Sequence, residues 1–162
     1  MKALVAYFEF ISKDVESKDD ITWRMDNNKD KVPVPDVAEG NKLFTEKGCI
    51  ACHGEDGSGT SHYGGPPLWG DGSFNDAAGM ARLNKATAFI QNNMPKGNEG
   101  TLTDQEAADL AAFILLQKRP IADVEKVGDY HLDSERDYIT KERREKIRKG
   151  EFDWTDLDVV EE

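Results

Sequence analysis

Apolar residues recur at helical spacing in several stretches of this chain, and polar, glycine- and proline-rich segments separate them. The first stretch is Ala3 to Phe8, which runs on to a polar stop at Ser12. A second runs from Val37 through Leu43 and Phe44, with Asp36 placed to cap its start and Gly48 to end it. Gly40 and Phe44 lie one turn apart on one face, so a partner helix can approach closely there. Helical pattern resumes from about Ala77 to Asn93, with Met80, Leu83, Ala86 and Ile90 in register. The last strong stretch opens on Thr103 and Glu106, which spell a capping box. It continues through Ala107, Leu110, Phe113, Ile114 and Gln117, and Pro120 closes it. The centre of the chain therefore reads as a small helical domain, all-α in class.

Between these stretches the chain changes character. Lys13 to Pro35 is polar and suits an exposed linker, with Trp23 as its packing anchor. Gly54 to Gly79 is rich in Gly, Pro, Ser, Asp and Asn, and reads as one long irregular loop. After Pro120 the tail scatters Tyr130, Tyr138, Phe152 and Trp154 among charges and offers a basic helix over Lys141 to Lys149. A surface wrap or a partly ordered extension is expected of it. A short repeat also stands out: Leu4-Val5-Ala6-Tyr7-Phe8 can be laid over Leu110-Ala111-Ala112-Phe113-Ile114. The boundaries implied are 1–12, 13–35, 36–120 and 121–162.

Composition narrows the partners. The 162 residues are 38% hydrophobic and 33% charged, with a net charge of −11. Residues 120–162 carry much of that excess, 14 acids against 8 bases. Such acidity argues against nucleic acid, whose backbone needs Lys and Arg. It is compatible with steering a basic redox partner, although a charged face is by default a solvated one. No apolar run approaches the roughly 20 residues of a membrane-spanning helix. Met1 to Phe8 begins like an export signal, but Glu9 interrupts it and no small-residue cleavage site follows. The numbering is therefore expected to start inside a longer precursor.

One stretch names a chemistry. Cys49-Ile50-Ala51-Cys52-His53 is the C-x-x-C-H attachment signature of c-type haem. Two residues between the cysteines set both sulfurs along one porphyrin edge, and the next residue, His53, then lies under the iron. A zinc site would need about four ligands; both cysteines are spent here, and His62 and His131 are the only other histidines. A dithiol redox pair is the remaining alternative. The expected cofactor is one covalent haem c, with its iron bound by His53. A loop as long as Gly54 to Gly79 is uncommon without a task, and wrapping a cofactor is such a task.

The sixth iron position then needs a ligand. Met94, followed by Pro95 on the loop between two helical stretches, is the candidate; a thioether stabilises ferrous iron and raises the potential. Met80, Lys85, Lys96 and His62 compete with it. Gly65-Pro66-Pro67-Leu68 suits the surroundings of His53, because a ligating histidine usually donates its other ring N–H to a carbonyl. Pro66 or Pro67 is the expected acceptor, and Leu68, Trp69, Phe89 and Ile90 are the expected apolar pocket.

Together these features resemble class I c-type cytochromes over about residues 36–120. A narrower likeness lies in Gly65 to Asp76, Gly79 to Leu83, Ala88 to Ile90, Asn93-Met94-Pro95, Leu102 to Ala107 and Ala111 to Ile114. It resembles the carboxy-terminal haem domain of dihaem thiosulfate dehydrogenases. That resemblance implies enzymes that couple two thiosulfates to tetrathionate and pass the electrons on. It also implies that Ala3 to Phe8 corresponds to the last helix of a preceding haem domain. In that family the catalytic haem belongs to the first domain and has a cysteine axial ligand. Both cysteines of this chain lie in one attachment motif, so the resemblance implies the electron-exit haem without the catalytic one. The expected partners are redox proteins, including a catalytic haem domain on the N-terminal side, in the periplasm or an equivalent extracytoplasmic space. The alternatives are a fragment active only with its missing domain, and a haem-based ligand sensor in which an external ligand displaces Met94.

Overall fold

The structure, a computed structural model, describes residues 2–13, 29–62, 64–123 and 137–161. Trp23, Tyr130 and His131 lie outside the described residues. Six α-helices form the frame among the described residues: α1 (Lys2–Ile11), α2 (Val37–Glu46), α3 (Cys49–His53), α4 (Leu83–Asn93), α5 (Asp104–Leu116) and α6 (Lys141–Lys149). A 3-10 turn, Gly79–Ala81, leads into α4.

The predicted caps are present. The Asp36 carboxylate accepts the N–H groups of Ala38 and Glu39 at 2.8 and 3.1 Å. Thr103 and Glu106 form the reciprocal capping box of α5. Each satisfies backbone donors that a helix start otherwise leaves open. Lys47 ends α2, and Gly48 at φ 75° turns the chain straight into α3.

α5 is the spine of the core. Eight of its residues are buried, and it packs against both α2 and α4. Gly40 lets α2 approach: a Cβ there would overlap the Asp109 carbonyl of α5. The Asp109 side chain completes the crossing by accepting the Asp36 N–H at 2.7 Å and the Gln105 amide at 2.7 Å. Burial pushes the Asp109 carboxyl above its ordinary range, partly offset by those two donors.

Residues 137–161 are more than the expected surface wrap. Ile139 and Leu157 are each 1% exposed and belong to the same core as Leu83, Leu110 and Leu115. The Ile139 N–H donates to Ala81 O and the Leu83 N–H to Asp137 O, at 3.0 and 2.9 Å. Asp137, 1% exposed, accepts from Arg82 Nε at 2.6 Å and from the Asn84 N–H at 2.8 Å. The predicted helix Lys141–Lys149 forms as α6, capped by Thr140 and closed by Gly150. The chain then returns beside the linker: β1 (Val32–Pro33) pairs in parallel with β2 (Val160–Glu161). These two short strands are the one departure from all-α character among the described residues, and they bury Val32 completely. The linker is therefore tied down at its end.

α1 behaves differently from the other helices. Leu4, Val5, Tyr7, Phe8, Phe10 and Ile11 are all about half exposed or more. In α5 the corresponding Leu110, Ala111, Ala112 and Ile114 are buried.

Candidate haem site

α3 presents the motif. Cys49 and Cys52 sit three residues apart, so they share one helix face; both are half-buried and neither is in a disulfide. Burial pushes the Cys49 thiol up from its ordinary value. A reactive dithiol needs the opposite shift, toward thiolate, so the environment disfavours a redox pair.

His53 ends α3 and is 8% exposed. Its Nδ1 lies 2.9 Å from the Pro66 carbonyl oxygen. A carbonyl only accepts, so this contact assigns a proton to Nδ1, and in the neutral ring Nε2 then keeps its lone pair. That is the state in which imidazole ligates a metal. Of the two proline carbonyls in question, Pro66 is the one in contact.

The loop reaches this position by folding back over α3. The Gly59 N–H donates to His53 O at 2.8 Å, and Thr60 Oγ1 donates to Cys52 O at 2.7 Å. Gly65 lies against the Cys52 carbonyl, with no room for a Cβ. The Leu68 N–H donates to Gly57 O at 2.8 Å. Trp69 covers Gly57 and packs on Phe44 and Phe113, with ring centroids 5.3 and 5.7 Å away. The loop is thereby fixed to the α2–α5 crossing. Thr60 and the tight Gly65 contact were not singled out from the sequence, because a threonine and a glycine in a loop carry no spacing signal.

Met94 caps α4, its N–H donating to Ile90 O at 2.9 Å. It is half-buried and packs on the same core as Cys49, Ile50, Leu68, Trp69 and Met80. Ile90 is itself in that core, whereas Phe89 is half-buried and is not among the residues packed against it; Pro67 is half-buried and Pro66 is exposed. Among the competing ligands, His62 and Lys96 are exposed and Lys85 is half-buried. A separate open groove of about 480 Å³, lined by Val34, Leu116, Ile147, Phe152 and Trp154, includes none of the motif residues.

The donor set fits a covalent haem c: two free thiols on one helical turn, then an imidazole whose Nδ1 is already engaged. No group of three or more His, Cys, Asp and Glu suited to a bare metal ion occurs among the described residues.

Comparison with known proteins agrees. Residues 37–118 match the family Cytochrome c. The thiosulfate dehydrogenase of Stutzerimonas stutzeri (strain A1501) is 39% identical over 127 residues, covering 74% of this chain and 40% of that protein. That of Allochromatium vinosum is 46% identical over 99 residues, covering 59% and 36%. Among solved structures, thiosulfate dehydrogenase (TsdBA) from Marichromatium purpuratum, in its "as isolated" form, superposes with a TM-score of 0.60 at 32% identity. That match covers 84% of this chain and 31% of the other. The chain thus spans about two fifths of the length of these curated relatives at most. With the motif, the helical frame and these matches in agreement, the chain belongs to the cytochrome c family, as a class I haem domain similar to those of thiosulfate dehydrogenases.

Proposed function

We propose that this domain is the electron-exit haem of a thiosulfate dehydrogenase-like system, with His53 and Met94 as its two axial ligands. The observation that carries the reading is the 2.9 Å contact between His53 Nδ1 and the Pro66 carbonyl. It fixes the ring and makes Nε2 a better donor. When bound, the haem supplies a one-electron couple between ferric and ferrous iron. Cys49 and Cys52 would anchor it, His53 and Met94 would bind its iron, and Leu68, Trp69, Phe89 and Ile90 would keep water away. With His53 and Met94 both bound to the iron no position would be left for thiosulfate, which supports a relay role over a catalytic one.

α1 supports a neighbour of the same kind. A helix that is apolar on most of its surface belongs in an interior, and the matching residues of α5 are buried in the core where α5 packs against α2 and α4. We assign α1 to the end of a preceding haem domain, whose own α2-like helix would cover it. The compartment that goes with covalent haem attachment is the periplasm or its equivalent. No helix among the described residues is long and apolar enough to cross a membrane.

The test is the purified holoprotein and its Met94→Ala variant. The oxidised protein should show a thioether charge-transfer band at the red end of its spectrum, and the variant should lose it. An unchanged spectrum in the variant would remove Met94 as ligand. Carbon monoxide binding by the unmodified reduced protein would favour a sensor, and tetrathionate formation by this chain alone would overturn the relay assignment.

A further inference from the structure

Gln91, on the last turn of α4, fastens the loop that carries Met94. Residues 94–103 join α4 to α5, and the far end of that segment is tied back to Gln91. The Gln91 carbonyl accepts the Gly100 N–H at 3.2 Å, and its side-chain Nε2 donates to the Leu102 carbonyl at 3.4 Å. The same Nε2 donates to the Asp104 carboxylate at the start of α5.

A third member of this cluster comes from far away in the chain. Lys29 of the linker donates from Nζ to the same Asp104 oxygen at 2.9 Å, across 75 residues of sequence. Its backbone carbonyl accepts the Asn84 side-chain amide at 3.2 Å, so α4 holds the linker as well as α5. Two residues on, Lys31 donates to Asp158 O at 2.9 Å, and Val32 enters β1. The Lys29 side chain is only 20% exposed, where a lysine is ordinarily left to solvent. The Lys29 donor first, and the Gln91 donor second, hold the Asp104 carboxyl below its ordinary range. One carboxylate oxygen thus serves the linker and the Met94 loop together.

We propose that Lys29 is a positioning residue for Met94: the linker grips Asp104, Asp104 holds Gln91, and Gln91 keeps the thioether-bearing loop closed. This rests on Met94 as the sixth ligand. A small clasp matters here because the bond it protects is weak. A thioether favours ferrous iron, so the ferric Met94 bond is the one that opens when the loop loosens. An exposed ion pair shifts an equilibrium by up to about fivefold. That is too little to unfold the domain and enough to change how often the loop opens. The linker is thereby part of the redox site as well as a tether.

The experiment measures imidazole binding to the oxidised holoprotein at neutral pH, since imidazole takes the sixth position only when Met94 has left it. Loss of the thioether charge-transfer band follows the exchange. Lys29→Met and Asp104→Asn should each bind imidazole about threefold more tightly than the parent, the size expected of an exposed pair. The double variant should match the singles, because each removes the same clasp, and Lys29→Arg should restore the parent affinity. Lys42→Met, which deletes a surface cation paired with Glu39 on α2, should leave the affinity unchanged. Salt screens exposed pairs, so the parent should approach the variants as salt is raised, while they change little. If Lys29→Met melts at lower temperature but binds imidazole as the parent does, Lys29 only staples the linker and the proposal falls. An equal gain in Lys42→Met would trace the effect to net charge and overturn it as well. The ligand assignment is decided separately: a thioether band that survives in Met94→Ala removes Met94, whatever Lys29 does.

Discussion

Gly40 of α2 lies against the backbone carbonyl of Asp109 in α5, so closely that no side chain fits between them. This contact sets the angle of the crossing that carries Phe44, Phe113 and Trp69, and through Trp69 the loop over His53. Gly40→Ala gains roughly 1 kcal/mol of helix propensity. It also inserts a methyl where a backbone group cannot move aside, at a cost of about 1–3 kcal/mol. The overlap outweighs the propensity, and urea unfolding of the variant should show a lower midpoint.

Gly65→Ala tests the loop at the motif. Its Cβ would meet the Cys52 carbonyl, pushing Pro66 away from His53 Nδ1. A weaker hydrogen bond makes Nε2 a poorer donor, so ferric iron loses stabilisation and the midpoint potential should rise. Stability should fall by about 1–3 kcal/mol. Redox titration and thermal melting of the same sample check both.

Thr103→Ala removes one half of the α5 cap and should cost about 1 kcal/mol, read as a lower urea midpoint at neutral pH.

Glu106 adds a pH dependence. Its hydrogen bond to Lys47 comes first, then the Thr103 N–H, in holding its carboxyl below the ordinary range. A carboxyl depressed in the folded state contributes stability above its unfolded pKa of about 4.3 and loses it as pH falls through the lower native value. Glu106→Gln should therefore differ from the parent most at pH 7, by up to about 1 kcal/mol as for an exposed pair. The difference should close in acid, which unfolding midpoints measured across the acid range will show.

Asp137→Ala should release the tail. It strips Arg82 Nε and the Asn84 N–H of their buried acceptor. Breaking a fully buried pair costs about 3–5 kcal/mol; Arg82 keeps some contact with water, so roughly 2–3 kcal/mol is expected. Limited proteolysis should then cut within 137–161, which the parent protects.

The sequence by itself determined the chemistry and the local frame. Cys49, Cys52 and His53 are legible because haem attachment demands contiguous residues at fixed spacing. The helix starts at Asp36 and Thr103 are legible because capping is settled within a few residues. Met94 was legible as a candidate because its loop position and the following proline are local too. The tertiary structure alone decided what depends on distant pairing. It chose the Pro66 carbonyl over that of Pro67, placed Gly65 against Cys52, and put Ile139 of a tail read as surface into the core. It also set Lys29 on Asp104. In the sequence Lys29 is one more charge in a polar linker; its pairing depends on Asp104 and Gln91, which are remote from it in the chain and meet it only when α4 and α5 close the loop between them.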